Sequence, residues 1–220
     1  MKRIYLIMLM IVAMMVSCNP KDEDDNNNSG GNGNNGGGSD GKINGYEYVD
    51  LGLPSSLKWA TCNVGASKPE EYGDYFAWGE TSPKAEYTIE NSITYGEQMS
   101  DISGNAQYDA ATANWGGSWR MPTEDEMREL VDHCEWKWTQ VNGLYGSKVI
   151  GPNGSCIFLP AAGSRYGSSL LSAGEYGYYW SSSPRESFSD DAFRLDFDSG
   201  GQHAYWSDRY AGRSVRPVSE

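Results

Sequence analysis

Apolar and charged residues alternate with a period of two near the end of the chain. Phe193, Leu195 and Phe197 are separated by single charged residues, a pattern typical of a half-buried β-strand. Residues 199–202 read Ser-Gly-Gly-Gln, which is turn composition because glycine adopts positive φ without steric strain. A return strand is predicted over about residues 203–206. The pattern therefore predicts a β-hairpin.

The clearest helix is predicted from Thr123 onward. Thr123 and Glu126 have the spacing of a capping box, and the acidic first turn suits the helix dipole. Apolar residues then follow at helical spacing and predict one buried face. This stripe comprises Met127, Leu130, Val131 and Cys134.

Short β-prone segments bounded by glycine or proline occupy much of the remaining chain. They are residues 46–51, 57–64, 74–78, 136–138, 145–150, 156–159 and 214–218. The turn Gly151-Pro152-Asn153-Gly154 predicts a hairpin between two of them. A helical turn is predicted over residues 109–114, and the polar residues 80–107 predict a long surface excursion.

The N-terminus has the features of an exported protein. Lys2 and Arg3 precede an apolar run, residues 4–16, that is too short to span a bilayer and fits a signal peptide. It ends Met-Val-Ser-Cys, which resembles the lipobox of bacterial lipoproteins, in which the cysteine, here Cys18, is lipidated. The alternative is an ordinary signal peptide with a chance cysteine.

The next segment predicts a disordered tether. Residues 18–41 are acidic and then rich in asparagine and glycine, a composition that cannot offset chain entropy by burying apolar surface. Its root-mean-square reach is about 25–30 Å. The acidic run also resembles the export signal of surface lipoproteins in Bacteroidetes. We expect residues 1–17 to be removed and residues 42–220 to form one domain, anchored to the outer membrane by lipid and facing the cell exterior.

Charge limits the class of partner. The 220 residues include 17 Lys+Arg and 30 Asp+Glu, for a formal net charge of −13. An acidic surface repels phosphate backbones, and no basic cluster offers counterion release. The sequence argues against nucleic acid as a partner, and contact with the membrane is expected through the lipid anchor alone.

The segment from Tyr178 to Val218 has the composition of a recognition surface. Tyrosine and tryptophan supply large contact area at low entropy cost, while aspartate, serine and arginine add adaptable hydrogen bonds. The alternative is a solvated hairpin with no binding role. The candidate ligand-binding residues are Arg185, Phe188, Asp190, Asp191, Arg194, Asp196, Asp198, His203, Tyr205, Trp206, Asp208 and Tyr210.

No catalytic constellation stands out. His133 is predicted on a helix beside Cys134, and adjacent helical residues do not share a face. His203 has no obvious nucleophile partner, and no phosphate loop or metalloprotease motif occurs. We expect a protein that is not an enzyme and that needs no cofactor.

Metal and disulfide sites are each open to two interpretations. Asp190, Asp191, Asp196 and Asp198 offer hard oxygen ligands for Ca²⁺, but a solvated acidic face is favoured and no metal is expected.

A disulfide between Cys62 and Cys134 would stabilise the fold by about 4 kcal/mol. The alternative is that the cysteines are buried thiols.

Several motifs resemble the Fibrobacter succinogenes major paralogous domain family. They are Tyr48-Val49-Asp50-Leu51-Gly52-Leu53-Pro54, Leu57-Lys58-Trp59-Ala60-Thr61-Cys62, Trp119-Arg120-Met121-Pro122-Thr123, Phe158-Leu159-Pro160-Ala161-Ala162-Gly163, Tyr179-Trp180-Ser181-Ser182-Ser183 and Ser214-Val215-Arg216-Pro217-Val218. The resemblance implies an α+β, C-type-lectin-like fold, with two helices packed on a twisted antiparallel sheet and many loops. That fold is related to the formylglycine-generating enzymes, whose C-terminal cysteine pair is missing here because no cysteine follows Cys156.

The family that the chain resembles also includes targets of diversity-generating retroelements. In such targets, the segment between the Y-W-S-S-S and S-V-R-P-V borders is mutagenised at adenines. Glu186 and Trp206 cannot arise from mutated asparagine codons, which favours an ordinary fixed segment.

The sequence as a whole predicts a surface lipoprotein that presents a non-catalytic domain to an unknown protein, peptide or glycan. The alternative functions are a structural or fimbria-associated subunit of the cell surface and, less favoured, a carbohydrate-active enzyme.

Overall fold

The computed structural model describes residues 39–220. The predicted signal peptide, Cys18 and nearly all of the tether lie outside the described residues.

The N-terminal sheet joins the two ends of the domain. Its strands are β1 (Gly41–Ile43), β2 (Tyr46–Asp50), β3 (Lys58–Ala60) and β12 (Val218–Ser219). Their order is β1-β2-β3-β12 and every pair is antiparallel, with Val218 opposite Trp59. The strands predicted over residues 46–51 and 57–64 are confirmed, although the second is shorter than expected.

Two helices follow a long irregular segment that contains one 3₁₀ turn, Ile89–Asn91. Helix α1 (Ala110–Trp115) begins at Asp109, whose side chain accepts a hydrogen bond from the Thr112 N–H. Helix α2 (Glu124–His133) has the predicted Thr123–Glu126 capping box. Its residues Met127 and Leu130 are buried. Both helix predictions are therefore confirmed.

The middle sheet is a meander of three strands. It contains β4 (Glu135–Val141), β5 (Leu144–Ile150) and β6 (Cys156–Pro160), paired antiparallel in that order. Asn142 and Gly143 form the first turn with φ values of 49° and 83°, as expected for a two-residue hairpin turn. The hairpin predicted around residues 151–154 is confirmed as the β5–β6 connection.

The C-terminal sheet contains most of the candidate residues. After a small hairpin, β7 (Ser164–Tyr166) with β8 (Ser169–Leu171), the chain forms β9 (Gly177–Pro184), β10 (Asp191–Phe197) and β11 (Gln202–Asp208). Strand β10 is central and β11 lies at the edge of the sheet. The predicted hairpin is confirmed, and its return strand is longer than expected.

The expected fold class is wrong. Within residues 39–220 the chain is mostly β, with four small antiparallel sheets and two helices of six and ten residues. The expected arrangement was a pair of helices on a single twisted sheet. Glycines and prolines interrupt the β-prone segments so often that no strand exceeds eight residues, and several small sheets form instead.

Two predicted strands are also wrong in whole or in part. Residues 74–78 contribute only the isolated bridge between Phe76 and Arg213. The N–H groups of Phe76 and Trp78 donate to carbonyls of the irregular C-terminal tail, residues 209–217, and not to a neighbouring strand. Of the segment 214–218, only Val218 enters a regular strand. Ser214 makes an isolated parallel bridge with Tyr179.

Buried arginines connect this tail to the core. Arg216 donates hydrogen bonds to Asn63 Oδ1 and to the carbonyls of Ala60, Thr61 and Phe158. Arg209 likewise donates to the carbonyls of residues 94, 97 and 191. The guanidinium groups thereby satisfy backbone acceptors, among them the carbonyls of residues 61, 94 and 97, which lie outside regular strands.

None of the helices in the described part of the chain has the length and apolar character needed to cross a membrane.

Candidate ligand-binding site

Four of the predicted binding residues form one continuous stack at the edge of the C-terminal sheet. The Tyr205 and Trp206 rings lie 4.1 Å apart between centroids and are 16° from parallel. The Arg185 guanidinium carbon is 4.0 Å from the centre of the Trp206 ring and 3.7 Å from that of Phe188. We call Phe188, Arg185, Trp206 and Tyr205 the aromatic–arginine stack. Its two ends are open, since Phe188 is 47% exposed and Tyr205 is 48% exposed.

Local hydrogen bonds hold the loop that carries Arg185 and Phe188. Arg185 Nη1 lies 2.7 Å from Asp191 Oδ2, and the Arg185 N–H donates to the Asp191 carbonyl. The Phe188 N–H donates to the Arg185 carbonyl at 3.0 Å. The stack is therefore positioned before a ligand arrives, which reduces the entropy cost of binding.

A groove of about 810 Å³ adjoins the stack, within the usual size range of ligand pockets. We call it the acidic groove. One wall is the N-terminal turn of α2 and the other is the loop after β9. Its lining residues are Met99, Ser100, Asp101, Thr123, Glu124, Asp125, Ser183, Pro184, Arg185, Glu186, Ser187, Phe188 and Phe193.

The acidic groove is rich in carboxylates. Asp101 Oδ2 accepts a hydrogen bond from the Ser183 hydroxyl, and Ser183 Oγ accepts one from the Glu124 N–H. These contacts join the two walls. Asp125 and Glu186 have no ion-pair partner among residues 39–220. Chemically, the groove can therefore accept a cation next to an apolar aromatic surface.

Arg194, Asp196 and His203 do not join the stack. Arg194 forms an ion pair with Asp196, and Asp196 lies opposite His203 in the β10–β11 ladder. Burial raises the pKa of the Asp196 carboxyl, although the Arg194 guanidinium acts in the opposite direction. This pair lies on the sheet beside the Tyr178 ring, whose centre is 4.9 Å from the Arg194 guanidinium.

Asp190, Asp208 and Tyr210 form another group, close to Tyr95. The Tyr210 ring packs edge-on against Tyr95 at 5.7 Å between centroids. Burial raises the pKa of Asp208, and the nearby carboxylates of Asp191 and Asp190 raise it further. These residues lie near each other, but they are not part of the stack and do not line the acidic groove.

Asp198 has a role in the β10–β11 turn. Its Oδ1 accepts hydrogen bonds from the N–H groups of Gly200 and Gly201 at 2.6 and 3.1 Å. The twelve predicted residues therefore divide among several places, and only the stack with its partner Asp191 adjoins the groove.

The aspartates of this region do not assemble around a metal position. Among residues 39–220, no group of three or more histidine, cysteine or acidic side chains is placed to hold a metal ion.

The disulfide considered between Cys62 and Cys134 is not present, because both residues are free thiols. Cys62 lies just after β3, whereas Cys134 lies at the C-terminal end of α2 and packs against the core cluster that contains Met127 and Leu130. Burial raises the pKa of the Cys134 thiol to about 11.

Comparison with known proteins supplies a family. A model of the Lcl C-terminal domain matches residues 53–219. The chain belongs to the Lcl C-terminal domain family. This Lcl C-terminal domain match agrees with the resemblance to the Fibrobacter succinogenes major paralogous domain family. The Lcl C-terminal domain family is not a known enzyme family. No curated protein and no solved structure matches the chain.

Sequence reasoning missed one wall of the acidic groove. The sequence pattern identifies Glu124 and Asp125 only as the acidic first turn of a helix, and Asp101 only as part of a polar excursion. Ser183 is the one sequence feature that could have indicated this wall, because it is a hydroxyl residue at the end of a β-prone segment. Its hydrogen-bond partner, Asp101, is 82 positions away, so local sequence patterns do not reveal the contact.

Proposed function

We propose that this protein is a surface lipoprotein whose domain is a non-catalytic binding module for a basic segment of another protein. The proposal rests on one observation, which is that the aromatic–arginine stack forms part of the lining of the acidic groove. Both features share Arg185 and Phe188. One ligand would therefore meet aromatic surface and carboxylates together.

The stack has the composition of a binding hot spot. Tryptophan, tyrosine and arginine dominate the energy of many interfaces because they bury much surface with little loss of side-chain freedom. Phe188 and Tyr205 are about half exposed, so both ends of the stack still have apolar surface to bury.

Charge favours a cationic ligand. Asp125 and Glu186 have no ion-pair partner in the described part of the chain, whereas the guanidinium of Arg185 is already paired with Asp191. A lysine or arginine side chain entering the groove would gain charge-assisted hydrogen bonds and a cation–π contact. An acidic ligand would be repelled.

The proposed location rests on the N-terminal sequence. The apolar run that ends at Cys18 supports lipidation and the acidic, asparagine- and glycine-rich segment supports a tether. We propose attachment to the outer membrane with the domain facing the exterior. The binding face would then meet proteins outside the cell.

The test uses the full-length protein in mild detergent and three sets of peptides of equal length. One set is rich in lysine and arginine, one is neutral and one is acidic, and each set contains the same aromatic residues. We expect saturable binding of basic peptides that weakens as salt rises. The double variant Asp125→Asn/Glu186→Gln should bind at least about tenfold more weakly, a change of about 1.4 kcal/mol.

The matched control is Asp132→Asn, which removes one carboxylate from the other end of α2. Its peptide binding should equal that of the wild type. Equal binding of all three peptide sets, or full binding by the double variant, would contradict the proposal.

A structural role is the second candidate, and one observation favours it. Strand β11 spans seven residues and, within residues 39–220, pairs only with β10. An unpaired strand edge is a template for addition of a strand from another chain. Sedimentation of the purified protein distinguishes the two roles, because an assembly subunit would self-associate with rising concentration.

A further inference from the structure

A second cleft lies on a different part of the domain and shares no lining residue with the acidic groove. It has a volume of about 400 Å³, within the size range of small-molecule sites. Its walls come from the β4–β5 hairpin, the turn before β9 and the turn between β10 and β11. We call it the aromatic cleft.

Three aromatic side chains line the aromatic cleft. Trp138 and Tyr145 come from the β4–β5 hairpin, with ring centroids 5.9 Å apart and planes 14° from parallel. Tyr176 enters from the turn before β9 and is parallel to Tyr178 within 2°. Tyr145 is 45% exposed and Tyr176 is 38% exposed. These rings therefore offer flat apolar faces to a ligand.

Unused polar groups surround the rings. The Glu175 carboxylate and the Ser199 hydroxyl line the cleft, and neither makes a side-chain hydrogen bond with any other described residue. Asp198 uses Oδ1 in its turn, which leaves Oδ2 able to accept from a ligand. The cleft thus combines flat aromatic faces with convergent hydrogen-bonding groups.

The cleft is held in shape by backbone hydrogen bonds. The Gly174 N–H donates to the Ala161 carbonyl at 2.7 Å, and the Tyr176 N–H donates to the Ser172 carbonyl at 3.0 Å. The Tyr176 carbonyl in turn accepts from the Gly163 N–H at 2.8 Å. Because the turn that carries Tyr176 is fixed at these points, the ring needs little ordering when a ligand binds.

We propose that the aromatic cleft binds one neutral sugar ring of a glycan. A pyranose has one face of C–H bonds, which packs on the negative face of an aromatic ring, and an edge of hydroxyl groups, which donate to carboxylates. A flat aromatic ligand would cover the rings but offer no hydrogen bond to Glu175, to Ser199 or to Asp198 Oδ2. A sulfated or uronic sugar would be repelled by the two carboxylates.

The test measures binding of soluble neutral oligosaccharides to the full-length protein. The probes are gluco-, manno-, galacto- and xylo-oligosaccharides, and the readouts are tryptophan fluorescence and calorimetry. At least one series should bind saturably. Tyr145→Ala and Tyr176→Ala should each weaken that binding at least about tenfold. Tyr205→Ala is the matched control, because it removes a ring of similar exposure from the aromatic–arginine stack, and it should bind like the wild type.

A second variant tests the charge argument without removing a ring. Glu175→Gln should keep most of its affinity for the neutral sugar and should gain affinity for the matched oligosaccharide that contains a uronic acid. If none of the four series binds, or if both tyrosine variants bind as well as the wild type, the sugar subsite is wrong. The binding of basic peptides should be the same in wild type and Tyr145→Ala, so this failure is separable from failure of the peptide site.

Discussion

The guanidinium of Arg185 lies 4.0 Å from the centre of the Trp206 ring and links the loop after β9 to the edge strand β11. The same guanidinium is paired with Asp191 at 2.7 Å. Arg185 is thus held by charge on one side and by aromatic rings on two others. Such a side chain loses little freedom on binding, and the rings around it are placed to contact a ligand.

Trp206→Ala is expected to weaken the binding of basic peptides at least about tenfold, or about 1.4 kcal/mol. The change removes the ring between Arg185 and Tyr205, so the stack loses its centre. Peptide titration measures the effect, and circular dichroism checks that the fold is retained. Tyr145→Ala serves as the control, and an equal loss in that variant would show that the effect is not local to the stack.

Arg216→Ala is expected to lower the free energy of unfolding by about 3 kcal/mol or more. The variant removes the guanidinium donor from the buried carbonyls of Ala60 and Phe158, from the part-buried carbonyl of Thr61 and from the Asn63 side chain. Arg128→Ala, which removes an exposed ion pair with Glu124 on α2, should cost about 0.5 kcal/mol or less. Chemical denaturation compares the two variants. Similar costs would mean that the tail arginines are not the structural links inferred from their hydrogen bonds.

Stability should fall in alkaline solution in part because of Cys134. Burial raises its pKa from 9.0 to about 11 in the folded protein. A raised pKa means that the folded state holds this proton more tightly than the unfolded state. The resulting contribution is complete below about pH 9 and is lost as pH rises through about 11.

The measurement is the difference in free energy of unfolding between the wild type and Cys134→Ala at several pH values. Wild-type stability should fall more steeply than that of the variant between about pH 9 and 11. Tyrosines that titrate in the same range are present in both proteins and cancel in the comparison. If the free energies of unfolding of the two proteins fall in parallel as pH rises, the folded state does not hold the Cys134 proton more tightly than the unfolded state does.

Cys18→Ala is expected to abolish lipid attachment and to remove the protein from the membrane fraction, because the alanine side chain has no thiol to acylate. Incorporation of a labelled fatty acid and cell fractionation measure the two effects. Cys62→Ala, which changes a thiol in the folded domain, should remain lipidated. Retention of the label by Cys18→Ala would contradict the lipoprotein proposal.

The 3′ end of the gene is expected to be invariant among sibling isolates. Trp206 lies at the centre of the stack, and adenine mutagenesis of asparagine codons does not produce tryptophan. A stack built around this residue therefore favours one fixed partner over a ligand that differs between clones. Sequencing the gene and its flanks tests this, and a nearby imperfect repeat that differs at adenines, beside a reverse transcriptase gene, would contradict it.

Features that depend on neighbouring residues were predictable. The capping box of α2 joins residues three positions apart, the β5–β6 hairpin depends on its own turn, and the alternation along β10 reflects one strand with one buried face. Fold class was not predictable in this way. The expectation of two helices on a single sheet was implied by a family resemblance. The division into four small sheets depends on pairings between residues distant in sequence, such as Val218 with Trp59.

The sequence by itself determined most of the local elements, the acidic charge and the type of side chain in the recognition segment, but not the strands predicted at residues 74–78 and 214–218. Tertiary structure decided which of those side chains act together. Pairing of β10 with β11 places Trp206 opposite Phe193 and Asp208 opposite Asp191, and Asp191 in turn pairs with Arg185, whose guanidinium packs on the Trp206 ring. The Asp101–Ser183 hydrogen bond closes the acidic groove across 82 positions. Periodicity describes which face a residue occupies on its own element, but it carries no information about which distant element packs against that face.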